Sequence, residues 1–181
     1  MSAKVFFTQG WSQERNLGKY FNEFMAMLPD GSYGCLMDYD SMFLTKDYGK
    51  HIYEYIKRFP GATFICYANR IGCDYQRLPG VHQANHDINF HRDLAEKQKE
   101  KLYQVTDFSK SDPSKLFGGF LMLLSKENWK AIGGFREHKI LDIDNYLHLD
   151  LMKHGKQILR MDGIYMYHWY RADGKGKEHL L

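Results

Sequence analysis

"GCLMDYDSMF", residues 34–43, sets two aspartates one residue apart directly after a short apolar run. The run reads as a buried strand that Asp38 and Asp40 bring to an end. In a strand, residues two apart point the same way, so extended backbone as far as residue 40 would turn both carboxylates toward one spot. Two such anions are unfavourable together unless a positive group joins them. A hard divalent cation, Mn²⁺ or Mg²⁺, takes oxygen ligands, keeps open positions and bridges to phosphate oxygens. The plainer alternative is a solvated turn, where aspartate is common.

Strand and helix signals alternate around this stretch. "KVFFTQG" (4–10) reads as an opening strand. Leu17, Tyr20, Phe21, Phe24 and Leu28 then fall at helical spacing, and "PDG" stops the helix. "YGCLM" (33–37) is a strand, "DYGKHIYEYIKRF" (47–59) a helix, and "ATFICYA" (62–68) a strand. Residues 70–90 read as a long loop, 92–104 as a charged, solvated helix, and 109–115 as a connector. A strand (117–125), a short helix (126–132), a "GGF" turn (133–135) and a helix over 141–155 follow, and "KQILRM" and "GIYMYHWYR" close the chain as two strands. The alternation predicts an α/β fold around a mostly parallel sheet, in one domain spanning residues 1–181. In such sheets ligands gather at the carboxyl ends of the strands, where Asp38 and Asp40 fall.

At 44% hydrophobic, the 181 residues can build a real core. A net charge of +3 is too mild for a nucleic-acid footprint. Three cysteines without a CxxC argue against a disulfide scaffold and for a reducing, cytoplasmic setting. "MSAKVFFTQG" does not read as a signal peptide, and no apolar stretch approaches a membrane span.

Three further stretches carry candidate chemistry. In "YMYHWYR", His168 shares a strand face with Met166 and Tyr170. It is either a satisfied core residue or the imidazole that completes a metal shell, with Arg171 placed to meet a phosphate. In "ILDIDNYLHL", Asp142 reads as a helix N-cap and Asp144 as a first-turn carboxylate, a candidate general base. In "FGGF", Gly118 and Gly119 mark either a bulge or a place where a sugar or phosphate approaches the backbone. A separate reading gathers Cys73, His82, His86 and His91 into a structural zinc site of a binding module.

Taken in order, "ERNLGKYFNEFM", "CLMDYDSMFL", "YANRIG", "FGGFLMLLSKENWKAIGGF", "LDIDNYLHLDLMKHGKQI" and "YMYHWYR" resemble the GT-A fold glycosyltransferases. The likeness is greatest to the family 2-like proteins and spans roughly residues 4–171. It implies a metal-dependent enzyme that moves a sugar from a UDP-sugar to a carbohydrate or other hydroxyl acceptor. Asp38 and Asp40 match the DxD pair that carries the ion on the donor diphosphate. His168 matches a late histidine that ligates metal in relatives such as the polypeptide N-acetylgalactosaminyltransferases. Asn16 and Gly18 would lie near the nucleotide, and Gly118 and Gly119 would line the donor sugar. Trp129, Gly134 and Phe135 fall on the acceptor side. Asp144, with Asp142 beside it, matches the presumed base of inverting members.

The chain departs from the family at Ile143 and Asp150, where the pattern has Glu and Arg. It also offers one strand–helix unit before the DxD strand instead of two, so the fold would be N-terminally shortened. Thr8, Gln9 and Trp11 would then supply the base pocket, by hydrogen bonding and stacking. Lys19, Arg70 or Arg171 would add positive charge, and Tyr39 and Asn69 complete the expected donor contacts. Two rivals stand beside this reading: a nucleotidyltransferase, which would release pyrophosphate, and a module that only binds.

Overall fold

A computed structural model describes residues 3–10, 12–109, 115–137 and 141–170, and Trp11 and Arg171 lie outside them. Seven strands form one open sheet: β1 (Val5–Gln9), β2 (Tyr33–Met37), β3 (Ser41–Phe43), β4 (Thr63–Ala68), β5 (Val105–Asp107), β6 (Leu121–Ser125) and β7 (Ile158–His168). The helices are α1 (Leu17–Met27), α2 (Tyr48–Arg58), α3 (Ile88–Gln98), α4 (Lys126–Ala131) and α5 (Ile143–Lys153).

The order across the sheet is β1-β2-β6-β4-β7-β3, with β5 paired to the first half of β7. Only β1–β2 and β4–β7 are parallel; β6 runs antiparallel to both of its neighbours, as β3 and β5 do to β7. The expected mostly parallel sheet is therefore a mixed one. The cause is β6: the chain reaches it from the end of the sheet where β2 and β4 finish, so it must run back between them.

The central strands are buried along their whole length, and alternate residues serve opposite faces. Cys35, Phe64, Cys66, Leu121 and Leu123 pack with Ile52, Tyr55 and Ile56 of α2. Leu36, Ile65, Met122 and Leu124 pack with Phe21 and Met25 of α1 and with Ile143, Leu147 and Leu151 of α5. Helices thus cover both faces. Cys35 and Cys66 are buried thiols in these layers, and all three cysteines are free.

Several elements differ from the sequence reading. The two expected closing strands are one, interrupted by a bulge where the register jumps from Cys66↔Met161 to Tyr67↔Tyr165. Gly163 sits in that bulge against the Leu102 backbone, leaving no room for a side chain. The expected solvated helix starts earlier, at Ile88, capped by Asp87 accepting from the Asn89 and Phe90 N–H groups. It is not solvated all round, since His91, Ala95 and Gln98 are buried. Residues 117–120 precede β6 rather than belonging to it, and β3 and β5, three residues each, are additional strands. Most of the expected 109–115 connector, residues 110–114, lies outside the described residues. No helix among the described residues is long and apolar enough to cross a membrane.

Candidate functional site

β2, β4 and β7 all finish at one end of the sheet, and β6 begins there. This places Asp38, Asn69, Phe120 and His168 around a single spot. Strand β2 stops at Met37, and residues 38–40 turn into β3. The turn is closed by the Ser41 N–H and Oγ–H, both donating to the Asp38 carbonyl at 3.2 and 2.8 Å. The Trp169 N–H donates to the Asp40 carbonyl at 2.9 Å, tying the end of β7 to the turn. The two carboxylates converge because of this turn, not because the strand continues.

His168 is where they converge. Its Nε2 lies 3.2 Å from Asp40 Oδ1 and 3.5 Å from Asp38 Oδ2. Its Nδ1–H donates to the Arg70 carbonyl at 2.9 Å, which fixes the ring and points Nε2 at the acidic pair. Phe120 stacks on the ring at 5.2 Å, and Asn69 Oδ1 accepts the His168 backbone N–H at 2.7 Å. The histidine is 1% exposed, and Nε2 has no aligned hydrogen-bond partner. A buried ring nitrogen facing two carboxylate oxygens, with no well-aligned hydrogen bond to either, is a donor set that suits a hard divalent cation. One ligand atom from each residue lies within 4.8 Å of the others, and among the described residues this is the only such group of three. Burial works against the imidazolium, but the Asp38 and Asp40 carboxylates outweigh it and push the His168 pKa up to about 9.

Asp144 approaches from the first turn of α5. Its Oδ2 accepts the Gly119 N–H at 2.8 Å and its Oδ1 the Asn145 N–H at 2.9 Å. Burial raises its pKa, the two N–H donors oppose that, and the charge of Asp38 raises it further. Asp144 is thus within electrostatic reach of Asp38. Gly119 has to be glycine here: a β-carbon would stand 2.9 Å from that of Asp144. Gly118 is buried, with its N–H donating to Gln76 Oε1 and its carbonyl accepting from Gln76 Nε2. Asp142 takes the N-cap position in a left-handed conformation without a side-chain bond to the backbone; its Oδ1 accepts from the Asn145 amide instead.

The remaining candidates are placed as follows. Tyr39, between the two aspartates, is 76% exposed, and Gln9 is exposed at the end of β1. Thr8 shares a 2.6 Å hydrogen bond with the Tyr20 hydroxyl. Asn16 caps α1 through Lys19 N–H, and the Lys19 ammonium pairs with Glu14. Gly18 packs against the Arg136 carbonyl. Trp129, Gly134 and Phe135 meet at Asn22: its Oδ1 accepts from Trp129 Nε1–H and Phe135 N–H, and its amide donates to the Phe135 carbonyl. Asn22 and Gln76 are organising residues that carry no recognisable signal in the sequence.

The zinc alternative fails on geometry. Cys73, His82, His86 and His91 form no ligand group among the described residues. Both His91 nitrogens are already engaged, with the Tyr165 hydroxyl and the Asn85 carbonyl. No family model matches the chain, and no curated protein or solved structure matches it either.

Proposed function

We propose that this chain is a metal-dependent glycosyltransferase that uses a UDP-sugar and an acceptor hydroxyl, with inversion at the anomeric carbon. The observation that carries the proposal is the convergence of Asp38, Asp40 and the buried His168 Nε2 at the carboxyl end of the sheet. These three residues would hold Mn²⁺ or Mg²⁺, which when bound neutralises charge building on a leaving diphosphate. Asp144 supplies the base. Half-buried, with a raised pKa and two backbone donors holding its orientation, it is poised to take the proton of the attacking hydroxyl. As the oxygen–carbon bond forms, the bond from the anomeric carbon to the diphosphate breaks, and its electron pair leaves with UDP. The family likeness of the motifs adds the sugar donor to this reading.

The test is an incubation with a panel of nucleotide sugars, with and without Mn²⁺, and mass analysis of the released nucleotide. Metal-dependent release of UDP is expected. Asp144→Asn should lower kcat by about 10²–10⁴-fold without loss of the folded state. Release of a sugar 1-phosphate, with the nucleotidyl group transferred, would establish the nucleotidyltransferase instead, and a retained anomeric configuration would remove Asp144 as base.

A further inference from the structure

The segment after β4 fixes His168 through the Arg70 carbonyl, and its side chains line a concavity of about 440 Å³. The lining is Arg70, Arg77, Val81, His82, Gln83 and Ala84, with two guanidinium groups, an imidazole and no carboxylate. Arg77 shares its charge with Asp74, 2.8 Å away and 72% exposed. Arg70 makes no ion pair among the described residues. Unspent positive charge in a concave surface favours an anion that a guanidinium can hold in two-point fashion.

What surrounds the concavity says which anion. The Tyr167 hydroxyl lies close enough to the Arg70 guanidinium to feel its charge. That hydroxyl bonds His86 Nδ1 at 2.7 Å. The His86 ring packs on Trp169 with centroids 4.6 Å apart, and Trp169 is 43% exposed. The Trp169 backbone N–H in turn donates to the Asp40 carbonyl. An exposed aromatic shelf thus joins the basic concavity to the Asp38–Asp40 turn. Aromatic faces take the apolar face of a sugar ring. In the glycosyltransferase reading the donor's diphosphate sits with a cation at Asp38, Asp40 and His168, so Arg70, expected from the sequence to meet the donor, is left to hold a second anion carried by another molecule.

We propose that the concavity is an acceptor subsite that holds a carboxylate or phosphate of an acidic saccharide, whose neighbouring ring lies on His86 and Trp169. The proposal rests on the glycosyltransferase reading for the word acceptor, but its binding chemistry is independent of the metal. Its test is calorimetric titration of the full chain, in EDTA and without donor, with a glucuronate-containing tetrasaccharide and with its carboxyl-reduced form. The acidic form should bind at least about tenfold more tightly, the scale of one charged hydrogen-bonded contact. Arg70→Gln, or Gln83→Glu where Arg70→Gln does not fold, should erase that preference. Gln83→Glu should leave UDP binding in Mn²⁺ unchanged. Equal affinity for both saccharides, or a preference that survives the substitutions, would overturn the subsite. A matching fall in UDP affinity would assign the concavity to the donor and overturn it as well. Acid-selective binding by a chain that turns over no nucleotide sugar would uphold the subsite while the transferase reading fell.

Discussion

Two buried histidines illustrate how neighbours decide a proton's fate. His168, set between two carboxylates, is held charged, with its pKa pushed up to about 9. His148 on α5 is fully buried with no counter-charge, and burial lowers its pKa to about 4. Its Nδ1 accepts the Phe117 N–H at 3.1 Å, so the ring is neutral with its proton on Nε2. The linkage signs are opposite. For His148 the unfolded chain binds the proton first, so stability falls as pH drops from about 6.5 toward 4, by at most about 3 kcal/mol. For His168 the folded chain holds the proton more tightly, so its stabilisation is complete below pH 6.5 and is lost as pH rises toward 9. Urea midpoints at pH 7 and pH 5 should differ less in His148→Gln than in the parent chain. Equal differences in both would show that His148 titrates normally in the fold.

The helices show packing overriding local preference. Gly18 lies in the first turn of α1, where alanine is a better helix former by about 1 kcal/mol. A β-carbon there would stand 2.1 Å from the Arg136 carbonyl oxygen, a backbone atom that cannot swing aside. Gly18→Ala should therefore lower the melting temperature, at a net cost of about 1–3 kcal/mol. A rise in melting temperature would mean that 135–136 does not press on α1. Helix positions were legible because apolar residues recur at helical spacing, as with Leu17, Phe21 and Leu28. Strand direction was not legible, because an apolar run such as "LMLLS" (121–125) reads the same in either orientation. The junction of "KQILRM" with "GIYMYHWYR" was obscured by Gly163, which marks a bulge as readily as a break. Neither β3 nor β5 is long enough to show a period.

For the molecule as a whole, two cores on opposite faces of the sheet hold the strand ends in register, and the candidate site lies at their common edge. Asp38, Asp40, Asp144 and His168 stood out in the sequence because their chemistry is conspicuous after or within apolar runs. Asn22 and Gln76 did not, since each acts on a partner far away in the chain. The sequence also could not show that the acidic pair converges through a turn closed by Ser41. Everything functional rests on those three side chains gripping a cation, and titration of the metal-free chain with Mn²⁺, read by electron paramagnetic resonance, measures that directly. The account predicts one ion per chain, with tighter binding at pH 8 than at pH 6 because the ion must displace the His168 proton. It also predicts affinity at least about tenfold weaker in Asp38→Asn and in His168→Ala. Absence of binding, or binding that both substitutions leave unchanged, would contradict it.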